Sequence, residues 1–377
     1  MSLKYPAIII IFLLGILVSN PGANLYSQVE ADTQDGGADL PHSDPHPAEG
    51  SHEEEFNASE FILEHVKDSH EWHIATKKDG NHISVYLPVI LYSKQSGLHA
   101  FSSRLLAHGH SHQGFQMGHG TMGEKSLEGK IIEVDGNGEI VEAGLPLDFS
   151  ITKNVFMMMM SVIILLLVFL GLARSYQKVG ISEPKGLQSF IEPVIVFIEE
   201  DVAMPNIEEG KHHKYMPYLL TVFFFILLNN LMGLIPLFPF GANVTGNIAV
   251  TLVLASITFL ITQFSSNKGH WQHVFNTPGV PLWLAPIMIP VEILGLFTKP
   301  FALMIRLFAN ITAGHIIVLS MISMIFIFKS VFAAAPSVVM VLFMDCIELL
   351  VAFLQAYIFT LLSALFIGMA MPEHHHD

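Results

Sequence analysis

The run LWLAPIMIPVEILGLFTKPFALMIRLFANITAGHIIVLSMISMIFIF, residues 282–328, decides the fold. Across forty-seven residues its only Asp, Glu, Lys or Arg side chains are Glu292, Lys299 and Arg306. At about 1.5 Å of rise per residue such a run, fully helical, would reach roughly 70 Å, about twice the thickness of a bilayer's hydrocarbon core. A second run, Val331 to Ala370, would reach about 60 Å by the same rule. Both must tilt steeply or kink, and Pro286, Pro290 and Pro300 offer kink points in the first. Lys329 to Pro336 reads as the turn between them, giving a long, strongly tilted helical hairpin.

Arg306 is the residue that most needs a reason. A guanidinium stays protonated at any accessible pH. At membrane depth it costs about 2.5–3.5 kcal/mol on insertion scales, so such residues face a bundle interior or water and mark ion pathways. A structural Arg that snorkels, or that satisfies a hidden carboxylate, is the alternative. On an ideal helix turning about 100° per residue, Ala302, Ala309, Asn310 and Ala313 surround Arg306 on one face. Gly295, Ala302 and Ala309 recur every seven residues, a small-residue stripe that lets a neighbouring helix approach closely. Glu292 and Lys299 lie on roughly the same side, and His315 points about 180° away. On the second run Glu348 and Gln355 nearly superpose in angle, with Asp345 about 60° off them. Carboxylate, imidazole and amide groups inside a helical bundle form the kind of chain used for proton relays. An N-cap or interfacial role competes for Asp345, and a helix–helix hydrogen bond competes for Gln355.

Working outward, three shorter runs complete a membrane domain over residues 151–372: Val155 to Ala173, Pro217 to Ile235 and Asn247 to Phe264. Arg174 and Lys178 follow the first, so by the positive-inside rule the chain enters from outside and exits inward. Leu187, Ile191, Val194, Ile195 and Ile198 then share one face of a stretch expected to lie along the cytoplasmic interface. Tyr215, Tyr218 and Trp283 sit where interface anchors are expected. Residues 373–377 form a cytoplasmic tail. The fold class expected is all-α polytopic, with about five membrane helices, an amphipathic cytoplasmic helix and a small exported mixed α/β segment.

The 377 residues are 51% hydrophobic and 14% charged, which excludes a disordered chain and argues against a soluble enzyme. The formal charge of −15 is concentrated before residue 150, as are twelve of the twenty His. Lys4, the apolar core Ala7 to Val18 and the small residues after it read as an export signal over residues 1–23, a retained anchor being the alternative. Residues 24–150 are exported on either reading. Residues 28–55 are too polar to bury a core. Beyond them, Phe61, Ile62, His65 and Val66 have helical spacing, His82 to Tyr92 alternates like a strand, and Lys130 to Ile140 reads as a hairpin turning at 135–138. His108, His110, His112 and His119 lack the ligand spacing of a zinc site and read as surface residues. The single Cys346 reads as a small core residue. No basic patch with interleaved aromatics is present, so nucleic acid is not an expected partner, and no GxxxxGK[ST] loop is present to hold nucleotide.

Three blocks in order resemble the subunit a family of the membrane sector of F-type ATP synthases: Asn230 to Pro236 (NLMGLIP), Arg306 to Asn310 (RLFAN) with Ala313-Gly314, and Leu354 to Phe359 (LQAYIF). Lys299-Pro300 and Leu187-Gln188 with Glu192 are similar to family features too, and the likeness covers about residues 150–372. The resemblance implies a non-catalytic stator subunit without a cofactor. It implies that Arg306 faces a rotating ring of c subunits, displacing protons from ring carboxylates and barring leakage between two offset half-channels. Ala302, Ala309 and Ala313 would face that rotor. Asn310, His315, Glu348 and Gln355, with Asp345, would line one aqueous route and Glu292 a wall of the other. Asn247 stands where the family often has Asp, so a titratable role there is not expected. Protons, the c-ring, peripheral-stalk b subunits and membrane lipids are the implied partners, in a bacterial inner membrane with the N-terminus periplasmic and the C-terminus cytoplasmic. The rival readings are a His-rich metal-ion transporter and a structural scaffold in which Arg306 pairs with Glu292 or Glu348.

Overall fold

The computed structural model describes residues 62, 66–76, 82–118, 121–122, 125–127, 129–135, 140–141, 145–179, 186–235, 239–275, 282–328 and 331–371. The export signal, the acidic linker, Phe61, His65, His119, residues 136–138 of the expected turn and the tail lie outside them. Two compact units emerge, one built on Val155–Thr312 and Ile347–Asp377, the other on Pro21–Asn154 and Ala313–Cys346.

The second unit holds short antiparallel strands. β1 (Glu71–Thr76) pairs with β2 (His82–Tyr86), and β3 (Pro88–Ser93) lies between β4 (Gly97–Ser102) and β9 (Leu147–Asp148). β5 (Phe115–Met117) pairs with β8 (Ile131–Glu133), and β6 (Thr121–Met122) with β7 (Lys125–Ser126). The alternation of β3 turns Val89 and Leu91 inward onto Leu106, Phe115 and Ile131, forming a small core. The sequence suggests one strand over 82–92, but the chain changes partner at Leu87. Pro88 has no N–H to give a ladder, so a strand starts there afresh against β4. The hairpin expected at Lys130–Ile140 reduces to a single bridge, Val134 to Ile140. Burial decides this: Ile131 packs into the core only when β8 pairs with β5.

Five helices among the described residues are long and apolar enough to cross a membrane. These are α1 (Lys153–Val179), α3 (His212–Leu234), α4 (Ile248–Ser265), α6 (Ala285–Phe328) and α7 (Val331–Met369). Two shorter helices, α2 (Leu187–Phe197) and α5 (Lys268–Phe275), stand between them. The amphipathic stretch after Leu187 is helical as expected, then widens to a π-helix over Ile198–Ala203 before one more turn, Met204–Asn206.

The prolines offered as kink points fall within helix. Pro290 and Pro300 lie inside α6, which continues through both, and Pro336 lies inside α7. Their lost N–H bonds do not end the helices, and α7 begins at Val331, inside the stretch Lys329–Pro336 expected as the turn. The 44 residues of α6 still span about 66 Å, so the hairpin lies obliquely in any bilayer.

The helical core centres on α3. Leu219, Val222, Phe223, Phe225 and Ile226 are fully enclosed. The aromatic anchors divide: Trp283 is exposed, whereas Tyr215 and Tyr218 are buried. Tyr218 shares a 2.6 Å hydrogen bond with Thr258 of α4, and the Tyr215 hydroxyl approaches Met371 Sδ at 3.8 Å. An internal partner takes each hydroxyl out of the interface role. Cys346 is exposed on α7 and not in the core, since an apolar membrane face accepts a thiol as readily as a protein interior.

Candidate functional site

On α6, Leu303, Met304 and Leu307 turn into the protein while Ala302, Ile305, Arg306, Ala309, Asn310 and Ala313 turn out. This split follows from 3.6 residues per turn: Leu303, Met304 and Leu307 share one side, and the alanines, Arg306 and Asn310 share the other. Arg306 is flanked by Ala302 four residues before it and Ala309 three after, neither of which shields it. Among the described residues no carboxylate forms an ion pair with Arg306.

Asn310 reaches from the same face toward α7, where its amide Nδ2 donates to Gln355 Oε1 at 3.0 Å. Gln355 is only 1% exposed, and among the described residues its own Nε2 has no hydrogen-bond partner. A buried amide donor left open is costly, so the spot suits a polar visitor such as water. Ala352, one turn before Gln355, and Ala356, next to it, are buried small residues that permit close packing around the amide.

A second polar cluster, not anticipated from the sequence, lies beside this pair. Asn230, near the end of α3, donates to the Ala352 carbonyl at 3.3 Å and accepts from Thr245 at 2.6 Å. Asn243 accepts from the Gly246 amide at 2.9 Å, and Thr312 of α6 reaches the Gly246 carbonyl at 3.5 Å. Asn247 N-caps α4, its side chain accepting from the Ala249 amide at 3.0 Å. The polar run Asn243–Asn247 between two apolar spans is the signal that could have exposed this cluster. A further pair joins α1 to α3, with Asn229 donating to Ser161 at 3.1 Å.

The other expected residues are placed as follows. Glu292 and Glu348 are partly buried, and Asp345 is exposed. Lys299 is exposed, with its ammonium 5.9 Å from the Phe366 ring. His315 is partly buried in the unit that also holds the β-strands, where it feels the charge of buried Lys153 at the head of α1. Asp68 joins the strands to that helix start: its carboxylate accepts from Thr152 Oγ1 at 2.8 Å and from the Asn154 amide at 3.1 Å. Burial pushes its carboxyl above the ordinary range, opposed by those two bonds and by the charges of Lys153 and His70. Burial acts on Asp148 in the same sense. There the His70 bond of 2.9 Å, the His70 charge and the bonds from Ser150 outweigh it and leave the group below its ordinary value.

Taken together, the fold and these polar contacts define a mostly helical protein with five helices long and apolar enough to span a membrane, small strand pairs in its N-terminal region, and charged and amide side chains within those helices. The comparisons with known proteins agree. Residues 155–368 match the family described as ATP synthase A chain, and residues 61–149 match a domain of unknown function (DUF8433). The chain is 49% identical over 235 residues to ATP synthase subunit a of Chloroherpeton thalassium, covering 61% of this chain and 69% of that one. It is 52% identical over 238 residues to ATP synthase subunit a 2 of Chlorobaculum tepidum, covering 61% and 66%. Against ATP synthase subunit a of an Anaeromyxobacter species it is 45% identical over 262 residues, covering 66% and 62%. The chain belongs to the ATP synthase A chain family.

Proposed function

We propose that the chain is the proton-conducting stator subunit of an ATP synthase, non-catalytic and without a cofactor, working against a ring of c subunits. The observation that carries this is Arg306, a permanent cation exposed on a small-residue face, with no ion pair among the described residues. A ring carboxylic acid arriving beside it ionises, because a fixed positive charge favours the charged form. The same charge repels a free proton and separates two half-channels. Ala302, Ala309 and Ala313 give the ring helix room to approach.

On this reading Asn310, Gln355, His315, Glu348 and Asp345 line the route from the exported side, and Glu292 borders the route to the other. The hydrogen bond between Asn310 and Gln355 supports a polar wall beside Arg306. Asn247 takes a structural part there as a helix cap. Peripheral-stalk b subunits and lipids cover the remaining apolar surface. The chain sits in a bacterial inner membrane with residues 24–150 outside and 373–377 inside.

Cysteine cross-linking tests the rotor face. In a Cys346→Ser background, needed because Cys346 is exposed, Ala309→Cys should form a disulfide with a cysteine on the outer helix of a ring subunit. A cross-link at Leu303→Cys, on the buried side, with none at Ala309→Cys would overturn the assignment.

A further inference from the structure

The π-helix at Ile198–Ala203 and the start of α3 bring Glu199, His212 and His213 together, far along the chain from the polar pairs above. Glu199 Oε1 stands 3.4 Å from His213 Nδ1 and 4.0 Å from His212 Nε2. The two imidazole rings lie 4.0 Å apart between centroids. One donor atom from each residue falls within 4.8 Å of the others.

We propose that these three residues bind one divalent transition-metal ion of the zinc class. The spacing is the first argument. Donors bonded to a common tetrahedral zinc at about 2.0–2.1 Å sit roughly 3.3 Å from one another. The observed pairs, at 3.4 Å and 4.0 Å, lie just above that value, and the longer one exceeds hydrogen-bond range.

Burial is the second argument. The His212 side chain is 7% exposed, and neither ring nitrogen has a hydrogen-bond partner among the described residues. Leaving two ring nitrogens unsatisfied in the interior is unfavourable, and a metal bond satisfies one of them. His213 is 69% exposed and Glu199 29%, so the ion can enter from solvent and keep a water as fourth ligand. Imidazole and carboxylate donors suit zinc, cobalt and nickel rather than a hard cation such as magnesium.

The backbone gives the ion a structural effect. A π-helical turn is a local widening often found at functional sites, and here it aims Glu199 at the α3 start. The segment between Glu199 and His212 carries Asn206, whose carbonyl lies against Gly368 of α7. A bound ion fastens both ends of that segment and so steadies the seat of α7.

The test uses the intact membrane complex with ZnCl2 or CoCl2 as probe. The many exported histidines bind metal too, so each variant is compared with wild type. Wild type should hold one more tight Co2+ equivalent than His213→Ala or Glu199→Gln, with an absorption band of nitrogen–oxygen coordination that both variants lack. Zn2+ should slow hydrogen exchange at amides 200–211 at least tenfold in wild type and not in either variant. His110→Ala, an exposed histidine of the exported unit, should keep both responses. His213→Ala is chosen because its exposed ring can be lost without a cavity. Equal Co2+ stoichiometry in wild type and both variants, or zinc protection that survives them, would overturn the proposal.

Discussion

Gly368→Ala isolates how tightly α7 is seated. A Cβ at Gly368 would strike the Asn206 carbonyl oxygen and come to 2.9 Å from its carbonyl carbon. Comfortable carbon–carbon contact is about 3.5–4.0 Å, so backbone must part from backbone by at least half an ångström. Overpacking of this kind costs about 1–3 kcal/mol. The Gly to Ala change itself favours a helix by about 0.8–1.0 kcal/mol. Gly171, inside α1, is the matched control, because a Cβ there meets nothing within 4 Å. Gly171→Ala should therefore gain the helix term alone, while Gly368→Ala should lose up to about 2 kcal/mol after that gain. The assay is thermal unfolding of the purified complex, followed by loss of protease protection of this chain. At about 2–4 °C per kcal/mol for a domain of this size, the two variants should part by roughly 2–12 °C. Equal melting of the two would refute the close-contact argument.

Other perturbations separate structure from titration. Between pH 3 and 7 the β-strands should show two opposing dependences, read by hydrogen exchange in the full complex. Asp148 is held below its ordinary value of 3.8, so its contribution is full above that value and fades as pH falls through it; Asp148→Asn should abolish this acid-side loss. Asp68 is raised above 3.8, so stability declines as pH climbs from that value through the raised one, and Asp68→Asn should remove the decline. Asp68→Ala should be about 1–2 kcal/mol worse than Asp68→Asn, because it removes the acceptor of the Asn154 amide and of the Thr152 hydroxyl bond. At Asn247, replacement by Ala should cost about 1 kcal/mol of thermal stability through the lost cap, while Asn247→Asp keeps it; proton pumping that follows the charge and not the cap would contradict the structural role. Gln355→Leu should cost about 0.6–2 kcal/mol, the range for one interhelical hydrogen bond in a membrane. Its effect on ATP-driven pumping should be severalfold, and unchanged pumping would remove Gln355 from the route.

The membrane helices were legible because uncharged apolar runs of that length occur almost only where a chain crosses a bilayer. The outward face of α6 was legible too: Ala302, Arg306, Ala309 and Asn310 fall on one side by rotation alone, and all four are exposed. Less could be read where partners decide. Asn230, Thr245 and Thr312 look like incidental polar residues until the turn before α4 folds back onto α6 and α7. Tyr215 and Tyr218 have the composition of interface anchors, and only the packing of α3 against α4 shows their hydroxyls enclosed. The strand break at Leu87 was written in Pro88, but alternation on both sides of it concealed the change of partner. Glu199 with His212 and His213 escaped notice because the π-helical turn, a feature with no sequence period, brings them together.

The most direct test is ATP-driven proton uptake into inverted vesicles carrying Arg306→Ala, with assembly checked by recovery of the whole complex. The account predicts a fully assembled enzyme that acidifies nothing and synthesises no ATP under an imposed proton gradient. Wild-type acidification by that variant would contradict it.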